Sequence, residues 1–202
     1  MAVSKKFSAA YIREAYTAGL REFGENYVQE FAQKKPALAD LGEARYHLIG
    51  HLQSNKARLA CELFDVVETA DSPRILERLN ACSDGKKIEI WFEIKLSDEA
   101  NKTGARPEEI PALLSAAKRC EAIQVAGLMT IPPWSEDPEV SRPYFRRLAE
   151  LAREHGLQQL SMGMSNDFEA AIEEGATVIR IGTALFGPRP KPDKSQALSP
   201  PS

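Results

Sequence analysis

Lys5 closes a short run with β-branched character, Ala2-Val3-Ser4-Lys5, and a helical pattern follows from Ser8 to Gly19. The order strand, lysine, helix puts Lys5 at the C-terminal lip of a parallel strand, where α/β barrels and open α/β sheets do their chemistry. Desolvation in such a concave site lowers a lysine's pKa, and the neutral amine can form a Schiff base with an aldehyde. The plainer reading of the same residues is a solvated lysine at a strand end. Groups suited to a phosphate lie far along the chain. Met164-Ser165-Asn166 opens a helical stretch whose N–H groups and dipole favour an anion, although Ser165 taken alone reads as an ordinary N-cap. Gly182-Thr183 follows a strand, the glycine permitting close backbone approach and the threonine adding a hydroxyl. Arg180 ends the apolar stretch Val178-Ile179-Arg180-Ile181, where a solvated charge is unexpected. It either pairs with an acid inside the fold or faces a ligand.

A Schiff-base lysine, a phosphate cradle and a fixed arginine in one mouth point to pyridoxal phosphate, which carries an aldehyde, a phosphate and a ring nitrogen. An arginine beside that nitrogen keeps it unprotonated, because a second positive charge is disfavoured. The ring is then a weaker electron sink than one paired with a carboxylate.

The elements that must position these groups read as strands alternating with helices. Strands are expected at Ala2–Lys5, Leu20–Phe23, Arg45–Gly50, Phe64–Thr69, Ile88–Leu96, Ile123–Ile131, Leu160–Gly163 and Thr177–Ile181. Helices follow from Tyr27 to Lys35, through Cys61, after Asp71-Ser72-Pro73, after Pro107, from Arg142 to His155 and from Asn166 to Glu174. Regular alternation means a parallel sheet, and eight units predict a closed (β/α)8 TIM-type barrel, with an open sheet as the fallback. In the Ile88–Leu96 strand, Glu93 and Lys95 point the same way near the C-terminal end, which reads first as an ion pair and second as a catalytic pair. Residues 1–187 are expected to form the barrel, and 188–202, rich in Pro, Lys, Ser and Gln, a disordered tail.

Composition narrows the function classes. With 202 residues, 43 % hydrophobic and 27 % charged, the chain fits one soluble domain. A net charge of −3 offers no broad footprint for nucleic acid or membrane. No apolar run approaches a spanning length, and no cleavable leader is evident. Cys61, Cys82 and Cys120 lie far apart, which suits a reducing, cytoplasmic setting, and no metal site is expected from them or from His47, His51 and His155.

Several stretches are long and unlike generic barrel sequence: Phe23-Gly24-Glu25-Asn26-Tyr27-Val28-Gln29-Glu30, His47-Leu48-Ile49-Gly50-His51-Leu52-Gln53-Ser54-Asn55-Lys56, Lys102-Thr103-Gly104 and Gly127-Leu128-Met129-Thr130-Ile131-Pro132. With Ala2–Lys5, Ser161-Met162-Gly163-Met164-Ser165 and Arg180-Ile181-Gly182-Thr183, they make the chain resemble the pyridoxal phosphate homeostasis protein family. Its barrel is similar to the N-terminal domain of alanine racemase. The resemblance implies that Lys5 carries the cofactor as an internal aldimine and that Asn26 lines the pocket. It also implies that Ser165, Gly182 and Thr183 hold the phosphate and Arg180 faces the ring nitrogen. Family members bind the cofactor and buffer it or deliver it to other proteins, with no established turnover. The expected partners are therefore the cofactor and apo forms of pyridoxal-phosphate enzymes, with the chain itself a monomer.

Three departures from the family pattern stand out. Members usually begin with a helix and a full first strand ahead of the lysine, whereas this chain starts four residues before it, so the first strand is expected to be clipped and the N-terminal helix missing. Glu93 and Lys95 stand where the family more often has neutral amides, and a second amine in the mouth could compete for the aldehyde. Lys6 follows Lys5 directly, and only one of two successive extended residues can point inward; the motif match favours Lys5. Two other readings compete with a carrier. A racemase-like enzyme needs an acid or base on each face of the substrate carbon, which similar racemases draw partly from a second domain. A barrel lyase or aldolase would use Lys5 as its own Schiff base and the phosphate site for a sugar phosphate.

Overall fold

The computed structural model describes residues 1–97, 99 and 103–188. Parallel strands and helices alternate from the start: β1 Ala2–Val3, α1 Ala9–Thr17, β2 Glu22–Glu25, α2 Val28–Lys34, β3 Arg45–Leu48, α3 Ala57–Leu63, β4 Val66–Ala70 and α4 Pro73–Cys82. The second half repeats the pattern with β5 Ile88–Glu93, α5 Ile110–Ala117, β6 Ile123–Met129, α6 Arg142–Glu154, β7 Gln159–Met164, α7 Phe168–Glu173, β8 Val178–Arg180 and α8 Thr183–Phe186. The strands pair in chain order, each parallel to the next. A parallel bridge between Ala2 and Ile181 joins the two ends of the sheet, so the expected TIM-type barrel is present. Its first strand has only two residues, as the clipped start predicts.

The period of two along β5 shows why the ring closes. Ile88, Ile90 and Phe92 are fully buried in the main core that the helices share, whereas Trp91 packs with Val66 and Met129 in a separate cluster. Alternate residues thus serve the helical layer and the barrel interior. An aromatic seam fixes α2 and α3 to the sheet. The Phe31 ring lies 4.7 Å from Tyr46 and 4.9 Å from Phe64, and Tyr46 lies 6.0 Å from Phe23. Offset and tilted contacts of this kind add to the area each ring buries.

The structure corrects several boundaries. β2 runs from Glu22 to Glu25 rather than from Leu20 to Phe23. Leu20 is partly exposed, while Gly24 enters the sheet where a Cβ would come within 2.7 Å of Met1 Sδ and 3.0 Å of Ile49 Cδ1. α2 ends at Lys34, just before Pro36, and the chain continues as a 3₁₀ turn, Lys35–Leu38, with the proline near its start. Ser72 precedes α4 without a side-chain cap bond. The expected tail lies outside the described residues beyond Pro188, as does Lys102 of the Lys102-Thr103-Gly104 stretch.

Phe31 is wholly buried and anchors the seam, so Phe31→Ala should destabilise the fold by about 3–5 kcal/mol through lost burial and a residual cavity. The check is the denaturant midpoint; a loss below about 1 kcal/mol would mean that the seam repacks.

Candidate functional site

A cavity of about 300 Å³ opens at the C-terminal lip of the barrel, lined by Lys5, Asn26, Ser165, Arg180, Gly182 and Thr183. The six residues assigned to cofactor binding from the sequence therefore reach one place, although Lys5 and Thr183 come from opposite ends of the chain. The volume lies at the low end for small-molecule sites. Each group owes its position to a strand exit. Lys5 sits in the turn after β1, Asn26 follows β2, Ser165 follows β7, and Gly182 and Thr183 follow β8. Gly50, leaving β3, has its backbone against Asn26; a Cβ there would lie 2.1 Å from the Asn26 carbonyl oxygen, so only glycine fits. Ile49, Ile131, Pro133 and Trp134 supply an apolar wall.

Ser165 does not cap α7. That helix starts at Phe168, and residues 165–167 form a turn in which Asp167 Oδ1 accepts the Met164 N–H at 2.7 Å. The turn is possible because Gly163 takes φ +88°, where a side chain would also collide with Ala171. Ser165 Oγ instead accepts the Ala184 N–H, at 3.3 Å, in the first turn of α8. The N–H groups of Leu185, Phe186 and Gly187 close helical turns onto Gly182 and Thr183, and those of Gly182 and Thr183 themselves lie ahead of these bonds. The lip after β7 and β8 therefore gathers two hydroxyls and the leading N–H groups of a short helix, a donor set that fits a phosphate.

Arg180 lines the cavity and reaches an acid only through Ser161, with no direct ion pair among the described residues. It is buried and donates to Ser161 Oγ at 2.8 Å and the Thr130 carbonyl at 2.8 Å. Burial pushes its pKa down, and the negative charges of Glu68, Asp167 and Glu93 oppose that shift. Ser161 in turn donates to Glu68 Oε2 at 2.5 Å, and Glu68 Oε1 meets His47 Nδ1 at 2.6 Å. His47 Nε2 pairs with Glu22. A chain of polar groups thus crosses the barrel interior from Glu22 to the arginine at the mouth. No local sequence signal points to it: His47 lacks a set of metal ligands, and Glu68 is a single acid in the apolar strand Val66-Val67-Glu68-Thr69-Ala70.

Glu93 and Lys95 do not form an ion pair among the described residues. Glu93 is buried and accepts the Thr103 hydroxyl at 3.0 Å, and burial pushes its pKa up. Neither residue lines the cavity, which leaves Lys5 as the lysine there among the described residues.

The family model described as alanine racemase, N-terminal domain, matches residues 1–190. A pyridoxal phosphate homeostasis protein from Pseudomonas aeruginosa is 46 % identical over 94 % of this chain and 84 % of its own length. The chain belongs to the pyridoxal phosphate homeostasis protein family. Another member, from Aquifex aeolicus, is 42 % identical over 94 % of this chain and 86 % of its own length. PipY of Synechococcus elongatus, whose structure was solved with PLP bound, superposes with a TM-score of 0.85 at 41 % identity, over 93 % of this chain and 91 % of PipY. An alanine racemase from Clostridium difficile, at 14 % identity and a TM-score of 0.73 over 95 % of this chain and 53 % of its own, shares the barrel alone. Among the described residues, no helix is long and apolar enough to cross a membrane.

The interior network predicts a pH dependence. Burial disfavours a charged His47, but the bonds to Glu22 and Glu68 outweigh it and push its pKa from 6.5 up to about 9. A raised folded-state pKa stabilises the fold fully below the unfolded value and loses that contribution as pH climbs through the folded one. Stability should therefore fall by about 2–3 kcal/mol between roughly pH 6 and pH 9, and His47→Gln should flatten that slope in denaturant melts. An unchanged slope in the variant would remove His47 from the account.

Proposed function

We propose that residues 1–187 hold pyridoxal 5′-phosphate through Lys5 and keep it in reserve for other proteins, without turnover of amino acids. The observation that carries this reading is the convergence of Lys5, Ser165, Gly182, Thr183 and Arg180 on one cavity of suitable size. The cofactor name of the relatives and the PLP held by PipY support it. When bound, the cofactor supplies an aldehyde that condenses with a lysine amine with loss of water, a phosphate and a pyridine nitrogen.

Each residue has a distinct task. Lys5 provides the amine at the lip of β1. Ser165, Thr183 and the leading N–H groups of α8 receive the phosphate, while Asn26 and the apolar wall bound the remaining space. Arg180, held by Ser161 and Thr130, presents a fixed positive charge that disfavours a protonated ring nitrogen. Besides Lys5, the titratable groups lining the cavity among the described residues are Asp167 and Arg180. Asp167 is committed to the Met164 N–H, and Arg180 to its two acceptors. A second acid or base suited to racemisation is not evident among them, which favours a carrier over the racemase-like reading. Apo forms of pyridoxal-phosphate enzymes are the recipients in this reading. A monomer in the cytoplasm fits it, and the three buried free cysteines suit that reducing setting.

Titration followed by visible absorbance tests the site. Lys5→Ala should abolish the covalent band while the phosphate contacts retain weak binding. Ser165→Ala and Thr183→Val should each weaken binding by about 1–2 kcal/mol, the scale of a lost hydrogen bond to a charged group. Pyridoxal lacking its phosphate should bind much more weakly, and equal affinity for the two would remove the phosphate site. An amino-acid panel tests the carrier role: sustained turnover above about 1 s⁻¹, the low end of ordinary enzyme rates, would favour the enzyme instead.

A further inference from the structure

A buried lysine outside the cavity contacts the segment that bears Lys5. Lys34, at the end of α2, is 9 % exposed and reaches three acceptors: the Ser4 carbonyl at 3.0 Å, Glu25 Oε1 at 2.8 Å and Glu30 Oε1 at 2.7 Å. An ammonium has three protons, so these contacts use all of them. The same two carboxylate oxygens grip the chain on either side of Lys5. Glu25 Oε1 accepts the Ser4 hydroxyl at 2.8 Å, and Glu30 Oε1 accepts the Lys6 N–H at 2.5 Å. Ser4 also donates its N–H to Gly24 O at 3.0 Å and accepts the Phe7 N–H at 3.0 Å.

This grip sustains an unfavourable backbone. Lys6 has φ +66°, in the left-handed region disfavoured for residues other than glycine. The reversal there leaves Lys6 exposed while Lys5 lines the cavity. Lys34 is itself no candidate for the covalent amine, because its protons are committed and it does not line the cavity. Glu25 is fully buried, with no partner for Oε2 among the described residues, and burial raises its pKa; the Lys34 charge opposes that shift.

We propose that Lys34, acting through Glu25 and Glu30, is a positioning residue that sets the direction of the Lys5 amine without touching the cofactor. The proposal rests on the reading of Lys5 as the covalent amine.

The test compares two probes on folded variants. Pyridoxal 5′-phosphate can bond to Lys5, whereas pyridoxamine 5′-phosphate has no aldehyde and reports on the cavity alone. Lys34→Met should reduce the covalent band and borohydride-fixed cofactor by about tenfold, the scale of one lost charged hydrogen bond, and leave pyridoxamine 5′-phosphate affinity within about threefold. Glu30→Gln, at the half-buried end of the cluster, should act in the same direction more weakly and decides the matter if Lys34→Met does not fold. Equal losses for both probes would mean a merely structural lysine and overturn the proposal, as would an unchanged covalent band. A wild-type chain that forms no covalent band would overturn the underlying reading of Lys5, and this proposal with it.

Discussion

The Val3 N–H donates to the Ile181 carbonyl at 2.8 Å, and the Ile181 N–H donates to the Met1 carbonyl at 3.0 Å. These two bonds join the first strand to the segment leaving the last one. The Met1 ammonium adds a bond to the Ile179 carbonyl at 3.0 Å, and the Phe7 and Phe186 rings meet at 5.2 Å, so that Lys5 and Thr183 come to one surface. Closing a ring of parallel strands buries the backbone groups that a sheet edge would leave unpaired. The same closure aligns all strand exits on one rim, so an amine from the first turn meets hydroxyls and N–H groups from the last two.

The polar groups beneath that rim need company because burial would otherwise neutralise them. An isolated guanidinium or carboxylate inside a protein is costly, and it persists only with partners of suitable geometry. Arg180 has Ser161 and the Thr130 carbonyl, Ser161 has Glu68, and Glu68 has His47. Lys34 has Glu25 and Glu30. The two clusters act differently on the mouth. One fixes a charge that faces the cavity; the other fixes the backbone from which Lys5 extends.

Much of the fold was legible because alternating strand and helix patterns imply a parallel sheet, and each strand exit then falls on one face. That logic puts Lys5, Ser165, Gly182 and Thr183 on one rim, and the family resemblance adds Asn26. Other features were less accessible. β2 starts later than the apolar Leu20 suggests, and Gly24, just past the expected strand, occupies a crowded sheet position. The four residues of α8 are too short to show helical periodicity, so no sequence pattern signals that Ser165 meets the Ala184 N–H. Glu68 and Ser161 are 93 residues apart, and no local spacing links them. Glu30 and Lys34 did carry a visible i,i+4 signal, but their reach to Ser4 and Lys6 depends on the packing of α2.

The most direct test of the central claim is to load the wild-type protein with pyridoxal 5′-phosphate, reduce it with borohydride and map the labelled peptide. The structure predicts a single label on Lys5. A label on Lys6, Lys34 or Lys95, or none at all, would contradict it.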